Sequence, residues 1–199
     1  QYIEEGVVEK VAIFAYNYFV IVGPADDPAG VASTSSATEA FTKIYEAGER
    51  GLAKFVSRGD NSGTHVKELS LWDKAGLSPQ GKPWYIESGQ GMAQTLVMAE
   101  EMSTYTLSDI STFLDVKQKG QIPTLEILYE GGEELINIYS VYVVKDGGAA
   151  KEFANFVISE EGQAVIAEYG KDRFGKPLFN PAKGNEAYLA EMWNKLAES

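Results

Sequence analysis

Short β-branched or aromatic segments alternate with amphipathic segments along most of the chain, and this alternation limits the possible folds. The predicted strands are residues 11–22, 54–56, 84–86, 105–107, 125–129 and 137–145. The predicted helices are residues 37–48, 62–75, 92–102, 108–117, 149–169 and 186–197, the second of them starting at about residue 61 or 62. The segment 149–169 is either one long helix or two helices joined at Gly162. Regular alternation of this kind predicts an α/β fold in which helices flank mainly parallel sheets.

A polar stretch at residues 57–64, between a predicted strand and the helix that follows, contains the residues best suited to chemistry. A helix that begins at about Asn61 or Ser62 leaves its first N–H groups without intrahelical acceptors, at the positive end of the helix dipole. Ser62 and Thr64 add hydroxyl donors, and Arg58 adds a forked, charged donor. A site this rich in donors is typical of a tetrahedral oxyanion.

The glycines and the carboxylate of the same stretch have less specific roles. Gly59 and Gly63 let a ligand approach the backbone closely. Asp60 is the exception to the donor-rich pattern, because it can orient Arg58, cap the helix, or accept a proton from a protonated ligand. The sequence leaves these three roles open.

Other polar residues near the motif carry weaker signals. The stretch Gly89-Gln90-Gly91-Met92 precedes a predicted helix and can offer backbone N–H groups, although a lone Gly-x-Gly is more often an ordinary turn. Glu68, one helical turn beyond Thr64, either anchors the motif through a hydrogen bond or faces solvent. His65 is the single histidine of the sequence, so a packing or solvated role is favoured over catalysis or metal binding.

The composition excludes several classes of partner. The chain has 29 Asp and Glu against 17 Lys and Arg, and its net charge of −12 repels nucleic acid and anionic membrane surfaces. An anion site in such a chain must depend on local donors. The absence of cysteine from the sequence excludes thiol catalysis and thiolate metal sites. The longest apolar run, near residues 11–22, is too short to span a bilayer.

A set of short motifs, collinear over nearly the whole chain, carries a family resemblance. The set comprises Tyr18-Phe19-Val20-Ile21-Val22-Gly23-Pro24, Ser57 to His65, Lys67-Glu68-Leu69, Trp72, Trp84-Tyr85, Gly89-Gln90-Gly91-Met92, Tyr105-Thr106-Leu107, Glu161-Gly162-Gln163, Tyr169-Gly170-Lys171 and Phe174-Gly175-Lys176-Pro177-Leu178-Phe179. With these motifs the chain closely resembles the tungstate-binding proteins of ABC importers. The shorter Arg-x-Asp-x-Ser-Gly-Thr core also resembles that of phosphate-binding proteins, and alone it does not separate the two families.

The resemblance implies a ligand and a set of residues that bind it. The ligand is tungstate or molybdate, held as an oxyanion, with no cofactor and no bare metal cation. The anion is contacted by two loops, through Ser57, Arg58, Asn61, Ser62, Gly63, Thr64, Gly91 and Met92. Gly59, Asp60, Glu68, Gly89 and Gln90 support these contacts.

The resemblance also implies a two-lobed fold of the type II periplasmic-binding-protein kind. In this division residues 1–20 and 137–199 form a partial first lobe, whose N-terminal part precedes this sequence in family members. Residues 21–136 form the second lobe and carry the main anion-binding motif. The chain is expected to cross between the lobes near residues 20–23 and 136–141.

The same resemblance implies a location and a partner. The protein is expected to be a periplasmic or extracellular monomer, secreted or lipid-anchored, that hands the anion to the membrane subunit of an ABC transporter and catalyses no reaction. The chain starts at Gln1 without a secretion-signal pattern, and we interpret this as a signal segment that was removed or lies outside this sequence.

Two departures from the family pattern leave alternatives open. Ile110 stands where family members usually have Arg, and it cannot replace a charged donor. The region 133–139 departs from the usual Asn-Pro-Tyr pattern and keeps only Asn137 and Tyr139 as possible matches. A phosphate-binding protein of the same fold and a ligand-sensing domain remain alternatives. A hydrolase with Ser62 or Thr64 as nucleophile is less favoured, because the sequence offers it no well-placed base.

Overall fold

The computed structural model describes residues 6–144 and 148–198. The strands are β1 (Val8–Pro24), β2 (Phe55–Ser57), β3 (Tyr85–Glu87), β4 (Thr106–Asp109), β5 (Leu125–Glu130), β6 (Ile136–Val144) and β7 (Asn180–Pro181). The α-helices are α1 (Ala37–Glu49), α2 (Gly63–Lys74), α3 (Met92–Met102), α4 (Ile110–Gln118), α5 (Gly148–Ile158), α6 (Glu160–Glu168), α7 (Lys171–Phe174) and α8 (Glu186–Glu198). Short 3-10 turns lie at Val31–Ser33 and Glu133–Leu135. The predicted strand end at Lys145 lies outside the described residues.

The chain divides into two compact units. The terminal unit consists of Gln1–Asn17 with Asn137–Ser199, and the central unit consists of Tyr18–Ile136. Strand β1 contributes to both units, and β6 begins at the last residue of the central unit. The polar motif and the Gly89–Met92 stretch both belong to the central unit.

The strands of the central unit form a sheet in which one strand runs against the others. β1 pairs antiparallel with β4, from Phe19↔Asp109 to Val22↔Thr106, and antiparallel with β5 on its other side. β2 pairs parallel with β3, and Phe55 forms a parallel bridge to Tyr105 just before β4. Strands β2 to β5 therefore share one direction, and β1 alone is reversed.

These pairings confirm the α/β class and correct the predicted strand directions in one respect. The parallel arrangement holds for β2 to β5, but every described pairing of β1 with β4, β5 and β7 is antiparallel. A strand that is buried on both faces reads as a continuous apolar run whichever way it points. The pattern of residues 11–22 therefore carried no information about direction.

Two apolar clusters cover the two faces of the central sheet. Phe19 and Ile21 of β1 belong to the cluster packed under α1 and α2, whereas Val20 and Val22 belong to the cluster packed under α3 and α4. Successive side chains of a strand point to opposite faces, so this partition places helices on both sides of β1. The central unit is thus a three-layer α/β/α unit with a closed core.

The terminal unit contains the segment 149–169, which the sequence predicted as either one helix or two. Two helices form, α5 and α6, and they meet at Ser159 rather than at Gly162. Ser159 is the N-cap of α6, since its side chain accepts a hydrogen bond from the Gly162 N–H at 3.2 Å. The buried Gln163 then ties α6 to β1, because its Nε2 donates to the Phe14 carbonyl at 2.8 Å.

Candidate functional site

Two strand-to-helix loops lie side by side at the carboxyl edge of the central sheet. β2 leads through residues 58–62 into α2, and the parallel strand β3 leads through residues 88–91 into α3. The ladder continues past the strand ends, because the Ser88 N–H donates to the Ser57 carbonyl at 2.8 Å and the Gly89 N–H donates to the Arg58 carbonyl at 2.9 Å. The N-termini of α2 and α3 are therefore neighbours, at the edge where α/β sheets bind ligands.

The start of α2 is organised by hydrogen bonds that leave two amides available. Ser62 is the N-cap and accepts from the His65 N–H at 3.3 Å, while its own N–H donates to Asp60 Oδ1 at 3.1 Å. The Asn61 N–H donates to His65 Nδ1 at 3.0 Å. Among the described residues, the N–H groups of Gly63 and Thr64 have no hydrogen-bond acceptor. These two amides sit at the positive end of the α2 dipole and can bind an anion.

The start of α3 is less capped than that of α2. Its N-cap is Gly91, which has no side chain to accept a hydrogen bond from the first turn. Within residues 6–144 and 148–198, no acceptor is found for the N–H groups of Met92 and Ala93. The loop before it is held by Ser88, whose hydroxyl lies 2.8 Å from the Thr95 hydroxyl. The backbone N–H groups at Met92 and Ala93 can therefore also bind an anion, although the Met92 side chain itself is buried.

Arg58 and Asp60 form an ion pair at the mouth of the first loop. An Nη2 group of Arg58 donates to Asp60 Oδ2, so both carboxylate oxygens of Asp60 are hydrogen-bonded. Hydrogen bonds from Ser62, followed by the nearby Arg58 charge, hold the pKa of Asp60 below its usual range. Of the three roles that the sequence left open for Asp60, the structure shows the contact that orients Arg58. The helix cap is Ser62 instead, and Asp60 accepts a hydrogen bond from the N–H of that cap residue.

The remaining donors of Arg58 are free for another acceptor. Arg58 Nε is buried and has no hydrogen-bond partner among the described residues. A buried charged donor without an acceptor is costly, and an oxyanion can satisfy it. Arg58 therefore suits a position beside the amides of α2.

Glu68 and His65 pack behind the loop. Glu68 is only 2% exposed and accepts hydrogen bonds from Ser57, Trp72 and Tyr85, so it anchors the motif rather than facing solvent. Burial raises the pKa of this carboxyl group, and the three hydrogen bonds oppose the rise. His65 is buried, and its Nδ1 accepts from a backbone amide, which assigns it a packing role.

The third strand-to-helix junction, between β4 and α4, has a different character. Asp109 caps α4 by accepting from the Thr112 N–H at 2.9 Å and the Thr112 hydroxyl at 2.7 Å. A carboxylate at this helix start disfavours a second negative charge. Ile110 packs against the apolar cluster under α3 and α4, where it supplies packing and no donor.

Several predicted residues thus meet at one place. Arg58, Asn61, Ser62, Gly63 and Thr64 lie on the first loop, and Gly89, Gln90, Gly91 and Met92 lie on the neighbouring one. Ser57 lies behind the loop and is fully buried. No site role was predicted for Tyr85, Ser88 or Thr95, because their partners are distant in sequence or carry no recognised spacing.

In the described part of the chain, no group of three or more His, Asp or Glu side chains is arranged to hold a metal cation. None of the helices in this part combines the length and the apolar character needed to cross a membrane.

Comparisons with known proteins agree with this architecture. The family model of the PBP superfamily domain matches residues 9–161. The tungstate-binding protein TupA of Peptoclostridium acidaminophilum is 40% identical over 175 residues, which cover 83% of this chain and 58% of that protein.

Two solved structures are similar over most of the chain. The tungstate-binding protein TupA from Desulfovibrio alaskensis G20 is 37% identical, with a TM-score of 0.77, over 90% of this chain and 73% of that chain. The tungstate ABC transporter structure from Geobacter sulfurreducens is 38% identical, with a TM-score of 0.70, over 84% of this chain and 71% of that one.

These similarities confirm the family resemblance found in the sequence and the two-lobed fold class that it implies. The chain spans somewhat more than half the length of the P. acidaminophilum relative. Because the model of the family covers well over half of the residues here, this chain belongs to the PBP superfamily of periplasmic-binding-protein-like domains.

Proposed function

We propose that this chain is the oxyanion-binding part of an extracytoplasmic solute-binding protein for tungstate. The observation that carries the proposal is the pair of neighbouring helix starts, α2 and α3, each with unpaired first-turn amides, beside the Arg58 guanidinium. Backbone N–H groups at a helix start, helped by the dipole, bind anions without any global positive charge. The relatives named as tungstate-binding proteins support the choice of tungstate.

The proposed ligands are the residues of the two loops. Arg58 supplies a charged donor, Gly63 and Thr64 supply amides at α2, and Met92 supplies an amide at α3. The remaining members of the proposed contact set are Asn61, Ser62 and Gly91. Ser57, predicted as a contact, is fully buried behind the loop and joins Gly59, Asp60, Glu68, Gly89 and Gln90 in support.

Asp60 bears on the choice between tungstate and phosphate. Tungstate carries no proton at neutral pH, so its site should present donors only, whereas a phosphate site gains from a carboxylate that accepts a proton. The two carboxylate oxygens of Asp60 already accept from Ser62 and Arg58, and its pKa is lowered by the same contacts. This engagement favours an unprotonated anion, and molybdate has the same tetrahedral shape and charge.

In this proposal the protein carries cargo and catalyses no reaction. It binds the anion outside the cytoplasm, as a monomer in the periplasm or anchored at the outer face of the membrane, and delivers it to the membrane subunit of an ABC transporter. In this proposal the central unit binds the anion and plays the part of the second lobe predicted at residues 21–136. No cofactor takes part.

Calorimetry tests the proposal. The protein that carries this chain is titrated with tungstate, molybdate, sulfate and phosphate at neutral pH. We expect tight binding of tungstate and weaker binding of sulfate and phosphate. Tight phosphate binding without tungstate binding would assign the alternative phosphate-binding function, and turnover of a generic phosphoester would favour an enzyme.

An Arg58→Ala variant tests the charged donor in the same assay. Loss of a charged hydrogen bond to the anion should weaken binding by about 1.5–3 kcal/mol. Lys43→Ala, which removes an exposed hydrogen bond to Ser33 away from both loops, is the matched control and should bind as the unmodified protein does. Equal affinity for Arg58→Ala would remove Arg58 from the site.

A further inference from the structure

Glu68 is a buried carboxylate that connects three elements behind the proposed anion site. Its Oε2 accepts from the Ser57 hydroxyl at 2.6 Å, at the end of β2. Its Oε1 accepts from Trp72 Nε1 at 3.0 Å, on α2, and from the Tyr85 hydroxyl at 2.7 Å, on β3. The helix that carries Glu68 is the one whose N-terminus supplies the Gly63 and Thr64 amides.

In the described part of the chain, hydrogen bonds rather than an ion pair with Lys or Arg compensate the burial of the Glu68 carboxylate. Among the described residues, no Lys or Arg forms an ion pair with Glu68. A buried carboxylate costs several kcal/mol unless it is fully hydrogen-bonded, and an apolar side chain would fill the same space at lower cost. The three donors satisfy the Glu68 carboxylate. Because an apolar side chain would fill this space at a lower free-energy cost, we infer that Glu68 serves to hold the geometry of the loop.

The hydrogen bond to Ser57 fixes the direction of the next one. The Ser57 hydroxyl has a single proton, which goes to Glu68, so its oxygen is left to accept from the Gly59 N–H at 3.2 Å. Gly59 has a φ of +62°, in the left-handed region, so the chain turns sharply at this point. Arg58 lies between Ser57 and Gly59 in the sequence, so the direction of its side chain depends on this turn.

We propose that Glu68 is the positioning residue of the anion site and that it acts through Ser57. Glu68 holds the Ser57 hydroxyl as an acceptor, this hydroxyl holds the Gly59 amide, and the turn so fixed aims Arg58 at the ligand. Ser57 then belongs to the support and does not donate to the anion, which agrees with its complete burial. This inference rests on the proposed oxyanion-binding function.

Glu68→Gln is a selective test, because the two carboxylate oxygens have different partners. A glutamine can keep its Oε1 towards Trp72 and Tyr85, which places its NH₂ group where Oε2 meets Ser57. The NH₂ group donates, so the Ser57 hydroxyl can no longer give its proton to residue 68 and must reorient. The substitution changes one hydrogen bond and nearly preserves the shape of the side chain.

Calorimetry with tungstate compares Glu68→Gln, Ser57→Ala, the double variant and Tyr105→Phe. We expect Glu68→Gln and Ser57→Ala each to weaken binding by roughly tenfold. The double variant should bind about as weakly as either one, because both substitutions break the same hydrogen-bond relay, from Glu68 through the Ser57 hydroxyl to the Gly59 amide. Tyr105→Phe is the control: it removes a buried hydroxyl that contacts Asp27 and Ala29, so it should lower the melting temperature without changing the affinity.

Two outcomes of the titration would overturn the inference. An unchanged affinity of Glu68→Gln, with a lower melting temperature, would reduce Glu68 to a purely structural residue. A higher affinity would mean that the released Ser57 proton reaches the anion, so that Ser57 is a direct ligand.

A second readout separates this inference from the proposed function. Amide hydrogen exchange at Gly59, measured by NMR without ligand, should accelerate in Glu68→Gln and in Ser57→Ala but not in Tyr105→Phe. If the unmodified protein binds no oxyanion, the proposed function fails, but the exchange rate at Gly59 still tests the hydrogen bonds from Glu68 through Ser57 to Gly59. Unchanged exchange at Gly59 in Glu68→Gln would overturn the relay even if tungstate binds.

Discussion

The central and terminal units of this protein differ in how completely they bury their apolar side chains. Both large apolar clusters consist of central-unit residues, and this unit exposes Leu52 and Val66 among its large apolar side chains. Among the described residues, all the other exposed large apolar side chains lie in the terminal unit: Val7, Tyr142, Val144, Phe153, Phe156, Ile158, Val165, Tyr169 and Tyr188.

This difference in burial bears on where a rigid anion site can be built. Donors must be held in place before the ligand arrives if they are to bind it well, and a closed core on both faces of a sheet does this. The central unit has such a core directly beneath the N-termini of α2 and α3. The terminal unit presents apolar side chains instead, as surfaces that contact other protein segments often do.

The largest expected effect comes from a matched pair of Phe→Ala substitutions. Phe41 is fully buried against Phe55 and Trp72, whereas Phe153 is 64% exposed. Phe41→Ala should lower the free energy of unfolding by about 3–5 kcal/mol, and Phe153→Ala should change it by less than about 0.5 kcal/mol. Urea denaturation followed by tryptophan fluorescence measures both. Equal losses would show that the terminal unit also depends on Phe153 for its core.

A smaller effect is expected from a glycine of the terminal unit. A Cβ on Gly162 would lie 2.1 Å from the Phe156 carbonyl oxygen, which is backbone and cannot move aside easily. Gly162→Ala should therefore destabilise the α5–α6 junction by about 1–3 kcal/mol. Hydrogen exchange should show faster opening of α5 and α6, with the central unit unchanged. Faster exchange throughout the central unit would mean that the two units unfold as one.

The extent to which sequence predicted these features depends on the range of the interactions. The helix at residues 37–48 was predicted because Ser36 and Glu39 form a local cap, and the structure confirms α1 with Ser36 accepting from the Glu39 N–H. The helix at 92–102 was predicted from its apolar spacing and is confirmed as α3. In each of these two helices, the residues that carry the signal lie within a few positions of one another.

Features that depend on tertiary contacts were not predictable from the pattern. One local signal was also missed: the sequence left one helix or two joined at Gly162 open, whereas the Ser159 cap separates α5 from α6. The role of Glu68 depends on Tyr85, which lies 17 positions away on another strand. The anion-binding loop was recognised from its local donors, but the juxtaposition of the two helix starts depends on the pairing of β2 with β3.

The smallest expected effect concerns the pH dependence of the central unit. Burial lowers the pKa of Lys67 to about 8, with a further decrease from Lys74 and an opposing increase from Glu134. Between pH 8 and the ordinary lysine value of 10.5, the unfolded chain binds a proton that the folded chain lacks, so stability should rise with pH across this window. Below it both states are protonated and the folded state bears the cost of a buried charge.

Urea denaturation at pH 7.5 and 9.5 tests this, with Lys67→Met as the comparison. The free energy of unfolding of the unmodified protein should increase relative to that of Lys67→Met as the pH rises. Parallel pH profiles for the two proteins would show that the packing around Lys67 does not disfavour its charge.

We propose that the anion is held by the helix starts of α2 and α3 in the central unit. An NMR titration with tungstate of the protein that carries this chain tests this site, because amide proton shifts report hydrogen bonds to the anion. We expect the largest shifts at the amides of Gly63, Thr64 and Met92, and little change at the Thr112 amide, which Asp109 already caps. Saturable tungstate binding that leaves the amide resonances of Gly63, Thr64 and Met92 unshifted would show that these helix starts do not hold the anion.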